Sequence, residues 1–168
     1  MSQEVTRYCL DANVLINAWN HYYARDFCPD YWKQLELLGH SGRIFICEEV
    51  KTEIVRTDDG LADWLKQSGV SVYPSDGTIT EIIKSIYLAD PRHEQLVDNK
   101  KGRSLADPWV IAHGIAQKAC VVTKENKETQ SSKRIKIPNV CENMNIRWIN
   151  DFDMIRELKI KFSCISGK

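Results

Sequence analysis

Short blocks of consecutive apolar residues recur along this chain, and most lead into a segment with helical spacing. Tyr8-Cys9-Leu10 reads as a buried strand that ends at Asp11, and Val14 to Ala24 follows as a helix. Pro29 opens a second helix, Tyr31 to Leu38, which Gly39 and Gly42 close. Arg43 to Cys47 is the second strand, followed by helices over Glu48 to Arg56 and Leu61 to Gln67. Val70 to Tyr73 is the third strand, and Thr80 to Leu88 is helical. The polar run Asp98 to Arg103 makes a loop. Leu105 to Ala119 is a helix apolar nearly all round, which implies burial. Cys120-Val121-Val122 is the fourth strand, Lys124 to Lys136 a long polar loop, Ile146 to Ile149 a last strand and Asp151 to Lys159 a last helix.

Strands that alternate with helices predict a parallel sheet, and continuous apolar strands predict cover on both faces. The expected fold class is therefore α/β, a three-layer α/β/α sandwich around a parallel sheet of four to five strands. A chain of 168 residues suits one domain, so residues 1–168 are expected to form a single unit. In such sheets ligands bind outside the carboxyl ends of the strands.

That rule singles out four acids. Asp11 directly follows strand one, and Glu53 lies between one and two turns into the helix after strand two. Asp107 starts the helix that returns before strand four, and Glu125 lies just past strand four. Each has an ordinary alternative. Asp11 and Asp107 suit helix starts, Glu53 with Glu49 suits a solvated helical face, and Glu125 suits an exposed loop. As a convergent set they carry more weight. Gathered carboxylates repel one another unless a cation neutralises them, and all-oxygen ligands suit Mg²⁺ or Mn²⁺. Such ions orient water and stabilise charge on a leaving oxygen, as phosphodiester hydrolysis requires.

Charge narrows the partners. Lys and Arg number 23, as do Asp and Glu, so the chain is no bulk polycation and any nucleic-acid contact must be local. Two basic clusters, Lys100-Lys101-Gly102-Arg103 and Lys133-Arg134-Ile135-Lys136, lie in loops near the acids, which makes Lys101, Arg103, Lys133, Arg134 and Lys136 candidates for RNA phosphates; solubilising charge is the ordinary alternative. No apolar run is long enough to span a membrane and Met1-Ser2-Gln3-Glu4 is no signal peptide, so a cytoplasmic location is expected. The six cysteines form no Cys-x-x-Cys pair and are read as structural thiols, the five tryptophans as mostly core, and His113 as a satisfied structural histidine. His21, His40 and His93 have no ligand spacing.

The same residues carry a family resemblance. Tyr8 to Ile16, with Asp11-Ala12-Asn13 after the apolar run, resembles the opening strand of PIN-domain nucleases. Glu49 to Ile54 resembles their segment with the second acid, Ser104 to Ala112 the third-acid helix, and Cys120 to Glu125 the strand ending in Thr-x-Asp. The order holds over about residues 6–150, and Lys136-Ile137-Pro138 is similar to a PIN-like subgroup with an extended loop after strand four. The resemblance implies a Mg²⁺- or Mn²⁺-dependent endoribonuclease acting on RNA, a homodimer, and the toxin of a toxin–antitoxin pair with an antitoxin protein as partner. It makes Asp11, Glu53 and Asp107 metal-site acids and Asn13 and Thr123 supporting residues. Glu125 stands where the family more often has Asp, one methylene longer, with Asn126 beside it.

Two other readings use the same residues. A PIN-like module without turnover would act through a partner. A small phosphohydrolase would use Asp11 as a covalent nucleophile, although Asn13 stands where that chemistry expects a second Asp.

Overall fold

The computed structural model describes residues 5–57, 59–98, 105–163 and 165–167. Five strands, β1 (Tyr8–Leu10), β2 (Ile44–Cys47), β3 (Ser71–Tyr73), β4 (Cys120–Val122) and β5 (Trp148–Ile149), form one sheet in the order β3-β2-β1-β4-β5. Every pairing is parallel, with Tyr8 opposite Ile44 and Cys120, and Leu10 opposite Val122.

Parallel strands need crossovers, and helices supply them. α1 (Ala12–Asn17), which runs on through a π-helical stretch Ala18–Tyr22, and α2 (Pro29–His40) lead from β1 to β2. α3 (Glu48–Val55) and α4 (Leu61–Gln67) lead on to β3. α5 (Gly77–Ala89), a 3₁₀ segment Pro91–Leu96 and α6 (Asp107–Ala116) lead to β4, α7 (Ile137–Asn143) leads to β5, and α8 (Asp151–Glu157) follows. The first two crossovers travel in one direction and the next two in the other. Right-handed connections therefore put the two sets of helices on opposite faces, which makes three layers. The expected α/β/α architecture is the one found, with five strands.

The inner strands β1, β2 and β4 are buried throughout, whereas the edge strands β3 and β5 are only partly covered. α6 lies directly on β1 and β4. The Cys9 thiol meets the Val110 carbonyl at 3.6 Å, and a Cβ on Gly114 would stand 2.6 Å from Val121 Cγ2. Trp32 is buried among aromatic rings, edge-to-face with Trp19 at 4.9 Å and Trp64 at 4.7 Å. All three indole N–H groups find acceptors, at the Asp59 carbonyl, the Tyr23 carbonyl and Glu36 Oε1. Five thiols, Cys9, Cys28, Cys47, Cys120 and Cys141, are free.

Two elements depart from the sequence expectation. Ile137–Asn143 is a helix where no helix was expected, and at its start Asn139 Oδ1 accepts the Lys136 N–H at 3.3 Å. Pro91–Leu96 is a 3₁₀ segment held by Asp90, whose side chain accepts the Arg92 N–H. Both are too short to show helical periodicity.

Candidate functional site

Strand order reverses beside β1: the chain moves from β1 to β2 and β3, then returns to β4 on the other side. The crossovers leave opposite faces there, so a crevice opens between the carboxyl ends of β1 and β4. Asp11 ends β1 and Thr123 ends β4. The Asp11 N–H donates to the Val122 carbonyl at 2.9 Å, and the Thr123 hydroxyl donates to Asp11 Oδ2 at 2.8 Å.

Thr123 Oγ1 is a hub. It also accepts the Glu125 N–H at 3.1 Å and lies 3.5 Å from Asn13 Nδ2. Asn13 Oδ1 accepts the Lys124 N–H at 2.9 Å. Two loops distant in sequence are thereby tied into one floor, in which Asp11 is only 3% exposed and Thr123 is fully buried.

The other acids come from three further elements. Glu53 on α3 accepts the Ala106 N–H at 3.3 Å, which brings α3 to the start of α6. The next residue, Asp107, opens α6 with Pro108 behind it and is buried. Glu125 is half-buried, and its Oε2 accepts the Ile137 N–H at the start of α7, 2.9 Å away. Glu49, paired with Glu53 in the ordinary reading of that helix, instead accepts the Ser75 hydroxyl at 2.9 Å.

The electrostatics follow from this crowding. Burial pushes Asp11 up to about 7, with the charges of Glu125 and Glu53 adding to the rise and the Thr123 hydroxyl opposing it. Burial also raises Glu53 and Glu125, against the backbone N–H groups of Ala106 and Ile137. Among the described residues, Asp11, Glu53 and Glu125 make no salt bridge. Nor do three His, Cys, Asp or Glu side chains there stand in ready-made metal-ligating geometry.

The basic residues spread out. Lys133 and Arg134 are exposed in the loop after β4, and Lys136 pairs with Glu128 at 3.0 Å. Lys101 and Arg103 lie outside the described residues.

Three features beside the site were not foreseen. Lys124, between Thr123 and Glu125, turns its ammonium to the buried Asp151 carboxylate at 2.9 and 3.0 Å. The same ammonium lies 4.3 Å from the ring centroids of both Tyr22 and Phe152. Asp151 follows β5, so the carboxyl-edge rule that found the other acids also points to it. His113 is buried, but it is not the satisfied histidine expected. Its Nε2 lies 3.2 Å from Ser75 Oγ, its Nδ1 has no partner, and burial holds its pKa below the ordinary value.

In sequence, no curated protein matches the chain. Residues 8–162 match the family described as a domain of unknown function, DUF4411. In structure, the chain is similar to a chain of VapBC2 from Rickettsia felis bound to a DNA fragment from their promoter. The identity is 18% and the TM-score 0.56, over 86% of this chain and 98% of that one. By family match, strand order and structural likeness, the chain belongs to the DUF4411 family and has the PIN-like α/β/α fold.

Proposed function

We propose that this protein is a divalent-metal-dependent endoribonuclease, a single domain over residues 1–168, acting as the toxin of a toxin–antitoxin pair. The observation that carries the reading is the buried Asp11. It stands at the strand-order switch, bonded to Thr123 and in the field of Glu53 and Glu125. An acid held up to about 7 by burial and neighbouring carboxylates is a site that gains from a cation.

The donor set fits Mg²⁺ or Mn²⁺: carboxylate oxygens, with no thiolate or imidazole among them. Asp11, Glu53, Asp107 and Glu125 would hold the ion. When bound, such an ion supplies charge neutralisation for a phosphodiester under attack. Thr123 and Asn13 keep Asp11 and the Lys124–Glu125 backbone in place. Lys133, Arg134 and Lys136 would meet RNA phosphates along the rim, with Lys101 and Arg103 as further candidates. The VapBC2 likeness supports an antitoxin protein as partner, and a homodimer is the assembly we propose.

The deciding experiment is cleavage of single-stranded RNA with Mn²⁺, Mg²⁺ or chelator, by the wild type and by Asp11→Asn. Metal-dependent cleavage lost in the variant supports the reading. A wild type that binds Mn²⁺ but cuts no RNA contradicts it. One observation favours a second reading, a module that binds without turnover: Glu125 already accepts the Ile137 N–H. Calorimetric titration separates the two, since a module with no function at the acids takes up no Mn²⁺.

A further inference from the structure

One buried polar side chain on α6 takes no part in the floor around Asp11. His113 sits among Val110, Ile111, Ala112 and Gly114, all of them buried. A buried imidazole loses its hydration, and Nδ1 finds no hydrogen-bond partner among the described residues. An aliphatic side chain would fill the same place without that cost, so packing alone accounts poorly for the ring. What the ring does meet is Ser75, whose Oγ lies 3.2 Å from Nε2.

Ser75 is not the cap of the helix that follows it. Asp76 has that role at the start of α5, where its Oδ1 accepts the Ile79 N–H. The Ser75 hydroxyl turns instead to Glu49, at 2.9 Å. A carboxylate only accepts, so Ser75 donates to Glu49 and its oxygen is left to accept from His113. Nε2 therefore carries the proton, and burial favours the neutral ring. The result is an ordered line from His113 through Ser75 to Glu49, which joins α6 to α3.

Those helices carry two acids of the candidate site, Glu53 on α3 and Asp107 on α6. They belong to opposite faces of the sheet, and Ser75, just past β3, bridges them at its carboxyl edge. A second tie joins the same helices, the Ala106 N–H donating to Glu53 Oε1 at 3.3 Å, long for such a bond. One tie leaves a hinge; two fix both separation and tilt. The Glu53 tie also competes with any cation for that carboxylate. The line through Ser75 uses none of the four acids, so it persists while a cation is bound.

We propose that Ser75 is a positioning residue: with His113 and Glu49 it locks α3 to α6 and so sets the spacing of Glu53 and Asp107 that a divalent cation meets. The inference rests on the metal-site reading of the acids and names what holds two of them in register.

The experiment is calorimetric titration of the full chain with Mn²⁺, with Asp11→Asn as the control that assigns uptake to the acids. Ser75→Ala is expected to weaken uptake by about tenfold or more, as loss of a group that orients metal ligands does. Ser75→Thr keeps the hydroxyl and is expected to stay close to wild type. Glu49 is half-buried, so Glu49→Ala breaks the same line from its other end even if Ser75→Ala fails to fold. Its loss is expected not to add to that of Ser75→Ala. Glu49→Gln keeps an acceptor for the hydroxyl and is expected to stay close to wild type, which separates the bridge from the charge. Tm in chelator reads any general loss of stability, and the rise in Tm on adding Mn²⁺ reads the site. Where RNA is cleaved, Ser75→Ala should need more Mn²⁺ for its half-maximal rate and recover kcat at saturating Mn²⁺.

Uptake lost in Asp11→Asn but unchanged in Ser75→Ala and Glu49→Ala overturns the proposal and leaves the nuclease reading in place. So does threonine no better than alanine at position 75, or glutamine no better than alanine at position 49. Mn²⁺ uptake that depends on Ser75, without cleavage of RNA, defeats the nuclease reading and leaves the positioning role standing. No uptake by the wild type defeats both.

Discussion

Thr123 donates its hydroxyl proton to Asp11 at 2.8 Å, joining residues 112 positions apart across the crevice between β1 and β4. The same oxygen accepts the Glu125 N–H, so one hydroxyl sets the position of two of the acids. Thr123→Val keeps shape but leaves a buried carboxylate oxygen and a backbone N–H without their partner. We expect a loss of about 1–3 kcal/mol in stability and a large loss of cleavage, with Thr123→Ser close to wild type. Denaturant melts and single-turnover rates of the two variants would check it; equal activity of valine and serine variants would contradict it.

Asp11 gives a pH signature. Its folded pKa, about 7, lies above that of an unfolded aspartate. Below about pH 4 both states carry the proton and the difference vanishes. As pH rises towards 7 the unfolded chain loses the proton while the folded chain keeps it, so folding becomes less favourable, and the penalty is complete above 7. In chelator, Asp11→Asn should therefore be more stable than wild type at pH 8, by on the order of 2–4 kcal/mol or about 4–16 °C in Tm, and similar to it near pH 4. Parallel Tm-against-pH curves for the two proteins would refute the assignment. Mn²⁺ should narrow the gap by stabilising the wild type alone.

The Lys124–Asp151 pair is buried, with side chains 13% and 1% exposed. Removing one partner leaves a charge without compensation. Lys124→Met should cost about 3 kcal/mol, and Lys124→Met with Asp151→Leu should recover most of it. A double-mutant cycle by chemical denaturation measures the coupling. Additive losses would mean the pair is not coupled.

Gly114 marks where α6 presses on β4. Its missing side chain leaves room for Val121 Cγ2, which would stand 2.6 Å from a Cβ. Gly114→Ala should destabilise by about 1–3 kcal/mol through overpacking, and Val121→Ala in the same chain should relieve part of it. Melting temperatures of the two variants decide the matter: if adding Val121→Ala to Gly114→Ala only lowers Tm further, the steric account is wrong.

Some of this was legible in the residues and some was not, for physical reasons. Runs such as Ile44–Cys47 and Cys120–Val122 announce inner parallel strands because burial on both faces removes the need for alternation. The carboxyl-edge rule then singled out Asp11, Glu53, Asp107 and Glu125 as candidates without coordinates. Tertiary partners were hidden. Nothing in the spacing of Glu49 pairs it with Ser75 rather than with its helical neighbours, and nothing around Glu125 announces the Ile137 N–H as its donor. α7 escaped because seven residues opened by Ile137-Pro138 make no periodic stripe. Lys124 was passed over as one more polar loop residue, since cation–ring contacts with Tyr22 and Phe152 are created only when α8 docks.

The central place of β1 between β2 and β4 sets a timetable. Asp11 and Glu53 emerge early in synthesis, but Thr123 and Glu125 take their positions only after β4 inserts beside β1. A nascent chain that has released only its first hundred residues holds half a site and lacks the hydroxyl that orients its principal acid. The ribosome making the protein has almost finished translating it before these groups can come together.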